Sequence, residues 1–359
     1  MARTVIPFGP QHPIFPEALQ LKLECEDEIV IGVTPVIGYI HRGIEKAAEL
    51  NPFRNNVFLV ERICGICSFM HSMCYCQGIE EMMNVEIPPR AKFLRTFWAE
   101  LSRLHNHLMW LGFMADSMGF ESLFMQCWRA REIILDITEM STGQRVIYGT
   151  CTIGGVKRDI DKEMAREIEE KLATAKEMVD STIQPTVLND PTLKRRTVGK
   201  GVLTKEQAEL SGAVGPILRA SGVPLDIRQT GYAAFKELGF EPIVETAGDV
   251  YARTLVRLRE WYQSLELCLS SLSLMPEGEI TTRVTGRPEG EAISRVEQHR
   301  GEVFYYIKGN GTANLERLRV RTPTFANIPS LLTMLPGCEL ADVPVITLSI
   351  DPCIACTER

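Results

Sequence analysis

The chain has 359 residues, of which 45% are hydrophobic, and a formal net charge of −7. This length is enough for a large buried core, and the acidic balance argues against nucleic acid as the main partner. There is no window of about 18 uncharged apolar residues, the length that spans a bilayer. The N-terminal MARTVIPFGPQHP lacks the apolar run of a secretory signal, so we expect a cytoplasmic protein.

The first 48 residues contain short β-like stretches. Their apolar residues alternate in a way that predicts a hairpin or small sheet, around Leu21, Leu23, Ile29 and Ile31. From residue 51 to about residue 84 the pattern is helical, and we expect two helices around a break. Pro88-Pro89 then begins a long helix.

That long helix carries an apolar stripe with spacings of three and four, typical of a core helix, at Phe93, Phe97, Leu101, Leu104, Leu108, Leu111, Ala115 and Met118. Further helices are predicted near residues 121–140, 161–184 and 245–274. Thr204 and Gln207 have the spacing of a capping box, which predicts a shorter helix there.

The C-terminal part contains β-like runs such as EVFYYIKG and VPVITLSI between turns. We therefore predict a mainly α fold, with a central antiparallel helix bundle and small α+β segments from both ends. The expected parts are a β-rich segment (residues 1–48), a helical core (49–285) and an α+β segment (286–359).

Eleven cysteines are present, an odd number in a long chain without an export signal. A disulfide framework is therefore not expected, and thiolates that serve a metal are the better interpretation of any paired set. Two pairs have Cys-x-x-Cys spacing: Cys64 with Cys67, and Cys353 with Cys356. The remaining seven are left out of the site. Five are interpreted as structurally inert: Cys25, Cys127, Cys151, Cys268 and Cys338. Cys74 and Cys76 are expected to point to different faces of a helix.

Two Cys-x-x-Cys pairs can supply the four thiolates of a tetrahedral metal site. Structural zinc is one interpretation, although zinc ribbons keep their pairs within about 20 residues, whereas these pairs lie near opposite ends of the chain. A redox dithiol is another, although no thioredoxin-like strand–helix pattern surrounds either pair. The separation predicts a site that is complete only when the whole chain has folded.

The residues around both pairs carry a resemblance. Arg62-x-Cys64-Gly-x-Cys67-x-x-x-His71, together with Asp351-Pro-Cys353-x-x-Cys356, resembles the paired signature of [NiFe] hydrogenase large subunits. The segments GPQHP, HRGIEK and SGVPLDIR resemble those shared by group 4 energy-converting hydrogenases and the 49-kDa-type peripheral subunit of respiratory complex I. Since the complex I subunits lack the four cysteines, the chain looks like an Ech-type hydrogenase large subunit.

The resemblance implies a NiFe(CN)2CO centre. By motif position, Cys64 and Cys353 would be terminal nickel ligands, and Cys67 and Cys356 would also bridge to iron. Thiolates suit such redox-active metals, and the centre would cleave H2 heterolytically. The Cys353 thiolate is the base that the resemblance implies for the released proton.

Further site residues follow from the same resemblance. Arg300 would lie above the metals as a fixed positive charge, and His299 stands where relatives usually have proline. Pro323 and Thr324 match a step that faces the cyanides, where a hydroxyl can donate a hydrogen bond. His71 is one helical turn after Cys67, so we expect it to hydrogen-bond a bridging sulfur.

Two glutamates complete the predicted set. Glu17 lies near the family's N-terminal proton relay, and a solvated loop carboxylate is the alternative. Glu45 matches a ligand of an accessory Mg or Fe ion. Relatives place a histidine three residues after the final cysteine, where this chain has Arg359, so the alternative for Glu45 is pairing with a basic side chain.

The predicted function is reversible H2 oxidation with electrons exchanged with ferredoxin, coupled to ion translocation. No iron–sulfur spacing is present in this chain, so electrons have to leave through another subunit. The resemblance implies a small subunit with a proximal [4Fe–4S] cluster, with a ferredoxin-like subunit and integral membrane subunits beyond it. The complex would lie on the cytoplasmic side of the membrane. The alternative is a complex I-like quinone-module subunit without hydrogenase activity, with its cysteines idle or binding zinc.

Overall fold

The structure is a computed structural model and describes residues 3–359. Its helices are α1 (Ile44–Leu50), α2 (Asn56–Glu61), α3 (Ser68–Met82), α4 (Pro89–Ser117), α5 (Glu121–Thr142), α6 (Lys162–Met178), α7 (Gln184–Asn189), α8 (Pro191–Thr197), α9 (Lys205–Leu210), α10 (Pro216–Ala220), α11 (Phe235–Leu238), α12 (Val250–Leu274), α13 (Pro323–Met334), α14 (Val343–Leu348) and α15 (Ile354–Glu358). The predicted mainly α fold is confirmed.

The strands form small antiparallel sheets. The N-terminal sheet has the order β1 (Arg3–Phe8), β2 (Gln20–Glu26) and β3 (Ile29–Val36). A short ribbon pairs β4 (Cys151–Thr152) with β5 (Gly155–Val156). The C-terminal sheet has the order β6 (Glu289–Gln298), β7 (Gly301–Asn310) and β8 (Leu315–Arg321).

Helix α4 lies at the centre of the bundle and packs against α5 and α12. Pro89 occupies its first turn, where a missing N–H costs no hydrogen bond. The predicted apolar stripe is buried except for Met118, which directly follows the helix and is partly buried. Asp249 caps α12 by accepting from the Ala252 amide at 2.7 Å. The capping box of Thr204 and Gln207 is also confirmed, at the start of α9.

Two contacts position the segments from the ends of the chain. Gly78 lets the C-terminal sheet lie directly on α3, because a Cβ there would be 2.7 Å from Ile307 Cδ1. Strand β3 hydrogen-bonds the loop before α14, where the Val30 amide donates to the Cys338 carbonyl at 2.9 Å. The C-terminal sheet is therefore tied to the helical core, and the N-terminal sheet is tied to the C-terminal segment.

The prediction for VPVITLSI was wrong, since residues 343–348 of this run form α14 and not a strand. A short, fully apolar run has no period that distinguishes a buried strand from a buried helix, and Pro344 in the first turn favours the helix. The division at residues 48 and 285 stays a prediction. Within residues 3–359, no helix is both long and apolar enough to cross a bilayer.

Candidate metal centre

The first thiol pair lies in the predicted break between α2 and α3. Cys67 immediately precedes α3, and the Ile66 amide donates to Cys64 Sγ at 3.3 Å. Cys64 is 3% exposed and Cys67 is fully buried. The break therefore directs both sulfurs into the core.

The second thiol pair lies at the start of α15. Asp351 has a φ of +55°, in the left-handed region that a non-glycine residue rarely adopts, so the chain turns sharply before Cys353. The Cys356 amide donates to Cys353 Sγ at 3.4 Å, in the manner of a helix cap. This turn brings both sulfurs to the same side of α15.

The two pairs meet, although 289 residues separate Cys67 from Cys356. The sulfurs of Cys67 and Cys356 are 3.2 Å apart, and those of Cys64 and Cys353 are 3.3 Å apart. These distances exceed a disulfide bond, and all four cysteines are free thiols. The sulfurs of Cys64, Cys67 and Cys356 lie within 4.8 Å of one another, so this cluster can hold a metal ion.

The charge of the cluster favours a bound cation. Hydrogen bonds from the Cys353, Cys356 and Cys67 thiols lower the pKa of Cys64. Burial raises the pKa of Cys67 and of Cys356, so each further negative charge is opposed in this dry site. A metal ion removes that opposition, since it binds thiolates and offsets their charge. Soft thiolate donors suit nickel, iron and zinc alike.

Arg300 supplies a fixed positive charge beside the sulfurs. It lies in the tight turn between β6 and β7, and its Nε donates to the Asp351 carbonyl at 3.0 Å. Burial lowers the pKa of Arg300, but Asp351 and the cysteine sulfurs hold it well above its ordinary value. The turn packs on Gly215 (φ +69°), where a Cβ would be 2.3 Å from Gly301 Cα. Only glycine permits this approach.

His71 and Tyr305 form a short chain that ends at a sulfur. His71 Nε2 is 3.5 Å from Cys356 Sγ, and its Nδ1 is 2.7 Å from the Tyr305 hydroxyl. Burial lowers the pKa of His71 to about 4, so the imidazole is neutral. The tyrosine O–H can then donate to Nδ1 while Nε2–H donates to the sulfur.

Pro323 and Thr324 begin α13, and Thr324 contacts the second thiol pair. The Thr324 hydroxyl accepts from the Cys353 amide at 3.2 Å, which leaves its own hydrogen free to donate. Thr322, which the sequence did not single out, donates to the Cys356 carbonyl at 3.0 Å. The start of α13 therefore holds the backbone of both C-terminal cysteines.

Both predicted glutamates contact the C-terminal turn. Glu17 is half-buried, and its Oε2 accepts from the Ala355 amide, between the second pair of cysteines, at 2.7 Å. Glu45 is 15% exposed and pairs with basic side chains, as the alternative interpretation held. Its Oε1 accepts from Arg359 Nε at 3.0 Å, and its Oε2 from Arg319 at 2.8 Å.

Arg42 is a residue that the sequence analysis missed. Its guanidinium donates to the Arg62 and Ile63 carbonyls, each at 2.7 Å, and to the Ala355 carbonyl at 3.1 Å. It therefore bridges the backbones of the two thiol segments. The signal available was its place in HRGIEK, next to the predicted Glu45.

A buried ion network supports the turn that carries Arg300. Arg103 of α4 donates to the carbonyls of Glu297 and Gln298, at 2.8 and 3.1 Å. The network contains four carboxyl groups and three guanidiniums: Glu100, Asp226, Glu260 and Glu297 with Arg103, Arg219 and Arg228. SGVPLDIR supplies Asp226 and Arg228, so this segment serves to position the site.

Comparison with known proteins finds two related families. The family described as the 49 Kd subunit of respiratory-chain NADH dehydrogenase matches residues 117–287 and 280–359. The nickel-dependent hydrogenase family matches residues 42–114, which contain the first thiol pair. The C-terminal cysteines thus lie in the part of the chain that matches the dehydrogenase family.

Similar proteins include components of several redox enzymes. The chain is 38% identical to the carbon monoxide-induced hydrogenase of Rhodospirillum rubrum, over the full length of both. It is 34% identical to a subunit of the F(420)H(2) dehydrogenase of Methanosarcina mazei, over 99% of this chain and 97% of that one. A chain of the membrane-bound sulfane sulfur reductase, an archaeal respiratory membrane complex, superposes with a TM-score of 0.94 at 30% identity, over 99% of this chain and 98% of that chain.

This chain belongs to the family that the large subunits of energy-converting [NiFe] hydrogenases form with the 49-kDa subunit of respiratory complex I. The family expected from the two thiol motifs is confirmed. Its members include oxidoreductases with different reactions, so the reaction of this chain has to be inferred from its own site.

Proposed function

We propose that this chain is the catalytic subunit of a membrane-associated [NiFe] hydrogenase that oxidises H2 and reduces protons reversibly. One observation supports this most strongly: four buried thiols from opposite ends of the chain converge, with sulfur–sulfur distances of 3.2 and 3.3 Å across the two pairs. Zinc ribbons do not need such a long-range arrangement. A dry thiol cluster beside a fixed guanidinium suits a redox metal centre.

The residues that would hold the metals are the four cysteines. Cys64, Cys67, Cys353 and Cys356 would bind nickel, and Cys67 and Cys356 would also bind iron. When bound, the NiFe(CN)2CO centre supplies the heterolytic cleavage of H2 and its reverse.

The other residues hold charge and protons. Arg300 stays protonated and offsets thiolate charge, and the hydroxyl of Thr324 is available to donate into the site. Cys353 would accept a proton at Sγ. Glu17 would then pass it outward, because its half-buried carboxylate is anchored on the amide of Ala355 in the same turn.

The electrons need a route through partner subunits. H2 oxidation releases two protons and two electrons, and we infer that the electrons pass to a small subunit with a proximal [4Fe–4S] cluster, then to a ferredoxin-like subunit. Integral membrane subunits would couple this transfer to ion translocation on the cytoplasmic side of the membrane. The likeness to a chain of a membrane complex supports this assembly.

A second candidate is a complex I-like quinone-module subunit without hydrogenase activity. It is favoured by the match of residues 117–359 to the 49 Kd subunit family. In that case the cysteines would be idle or would bind zinc. Metal content distinguishes the two candidates without any assumption about turnover.

The first experiment is metal analysis and infrared spectroscopy of the purified native complex. We expect nickel and iron in similar amounts, with bands of CO and cyanide. Zinc alone, or no metal, would reject the hydrogenase proposal in favour of the second candidate.

The second experiment replaces one sulfur. We expect Cys353→Ser to abolish H2 evolution while the complex still assembles, because the variant removes a nickel ligand and the proton-accepting thiolate together. Cys338→Ser is the matched control, since Cys338 is a partly buried thiol against β3. Retained H2 evolution in Cys353→Ser would overturn the ligand assignment.

A further inference from the structure

Glu45 and Arg359 form a contact where the resemblance implies an accessory metal ion. Both oxygens of Glu45 are occupied: Oε1 by Arg359 Nε at 3.0 Å and the Val320 amide at 2.8 Å, and Oε2 by Arg319 at 2.8 Å. Every one of these partners is a donor. None of them can act as a ligand for a cation.

The surroundings of Glu45 do not fit a divalent ion. Magnesium prefers six oxygen ligands, and two guanidiniums already offset the charge of this carboxylate. The nearby Glu358 carboxylate accepts from the Gly38 and Ile40 amides, at 2.6 and 2.5 Å, so it is engaged elsewhere. Within residues 3–359, the cysteine cluster is the one group of three or more side chains that lie close enough together to hold a metal ion.

The Arg359 side chain is held firmly in this position. It is 17% exposed, its guanidinium lies 5.3 Å from the Phe325 ring centroid, and its Nη1 donates to the Thr357 carbonyl at 2.8 Å. By contrast, Arg319 is 57% exposed and reaches Glu45 from the rim. Arg359 is therefore the inner cation of the pair, and its charge is screened less by water.

The contact ties the C-terminal turn to the rest of the site. Glu45 belongs to α1, whereas Arg359 directly follows α15, whose first residue comes after Cys353. The Glu358 side chain and the His41 ring bind the same two segments together. Segment 38–45 thus holds the turn with the second thiol pair in place by hydrogen bonds to Glu358 and Arg359.

We propose that the Arg359 guanidinium takes the place of the accessory metal ion, as a built-in cation that closes the C-terminal thiol turn onto Glu45. It is a positioning residue: it holds the turn and does not touch the reacting atoms. The thiol centre of this chain then forms and stays closed without Mg²⁺ or iron at Glu45. This inference does not depend on which metal the four sulfurs bind.

The test measures closure of the turn by amide hydrogen exchange of residues 353–358 in the purified native complex. Treatment with EDTA, followed by addition of Mg²⁺, should leave exchange and melting temperature unchanged in the wild type. Exchange that rises with EDTA and is restored by Mg²⁺ would overturn the proposal without any variant.

Variants then assign the effect to the side chain. Arg359→Gln should speed exchange of these amides about tenfold, whether or not Mg²⁺ is present, because one charge-assisted contact of the turn is lost. Arg359→Lys should retain part of the protection. Arg359→His should make protection depend on Mg²⁺, since it supplies a ligand where the guanidinium was.

Arg319→Gln is the matched control, since it removes the outer guanidinium from the same carboxylate and should speed exchange less than Arg359→Gln. Equal effects of the two variants, or unchanged exchange in Arg359→Gln, would overturn the proposal. If Arg359→Gln does not assemble, the wild-type EDTA experiment still decides. Exchange and bound Mg²⁺ are measured without H2 turnover, so this test is separate from that of the proposed function.

Discussion

Both thiol pairs are buried in one core, but the first precedes a long buried helix, whereas the second lies at a short helix that polar contacts from several segments also hold. Cys64 and Cys67 lie between α2 and α3, and the first nine residues of α3, Ser68–Cys76, are all buried. Cys353 and Cys356 lie on a five-residue helix that depends on hydrogen bonds from elsewhere in the chain. Side chains that make these bonds are Glu17, Arg42, Thr322 and Thr324.

This difference teaches that the two halves of the site have different stabilities. Buried apolar packing opens only with global unfolding, whereas a short terminal helix held by polar contacts opens locally. We therefore expect the segment of the second pair to open more easily than that of the first pair. The following predictions test this comparison.

The largest effect is expected on the side of the first pair. Phe69 of α3 is fully buried, with ring centroids 6.0 Å from Trp98 and 5.6 Å from Tyr148. Phe69→Ala should lower the free energy of unfolding by about 3–5 kcal/mol, because it leaves a cavity in the core. The measurement is denaturant unfolding, with Phe58→Ala as the control, since Phe58 is 45% exposed. An equal loss of unfolding free energy in both variants would contradict the conclusion that core packing of α3 stabilises the first thiol pair.

The next effect concerns the turn that carries Arg300 and joins the two halves. Burial and the neighbouring Asp226 raise the pKa of Glu297 from 4.5 to about 7, against the pull of Arg219 and Arg103. The count of four carboxyl groups against three guanidiniums supports a retained proton. Between these two pKa values, the folded chain keeps a proton that the unfolded chain has released.

Stability due to Glu297 should therefore fall as pH rises through this window. Relative to Glu297→Gln, the wild type should lose about 2 kcal/mol of unfolding free energy between about pH 5 and pH 7. The measurement is denaturant unfolding of both proteins at several pH values. Glu289→Gln, an exposed position on the same strand, is the control and should match the wild type. A pH-independent difference would show that Glu297 is ionised throughout.

The smallest effect is expected on the side of the second pair. Thr324→Val leaves the Cys353 amide without an acceptor, which should cost about 1 kcal/mol in the local opening of residues 351–358. Hydrogen exchange of the Cys353 amide should accelerate, while the global unfolding midpoint changes little. Thr324→Ser keeps the hydroxyl and should behave like the wild type. A global loss as large as that of Phe69→Ala would mean that the two halves open together.

Apolar periodicity and capping motifs in the sequence correctly predicted several helices. The stripe from Phe93 to Met118, the capping box at Thr204 and the break around Cys64 all correspond to the observed helices, since caps and periodicity act over a few residues. VPVITLSI was mistaken for a strand because a short apolar run has no period of its own. The elements that pack against it in the folded chain decide that it is a helix.

Site residues with a local motif were found from the sequence, whereas a residue that acts through distant contacts was missed. The four cysteines were singled out from their spacing and flanking residues, which are a local signature in the sequence. Arg42 was missed, since its value lies in contacts with carbonyls 20, 21 and 313 residues away. No periodicity in a single sequence encodes such distances.

The sequence by itself determined the mainly α fold and the family, because helical period and motif spacing are properties of short segments. Only the tertiary structure decided that Cys67 and Cys356 meet, that Arg42 joins their segments, and that Arg359 pairs with Glu45. These contacts require the two ends of the chain to pack on one helical core. Long-range packing of that kind is the sum of many weak contacts, and no single segment carries it.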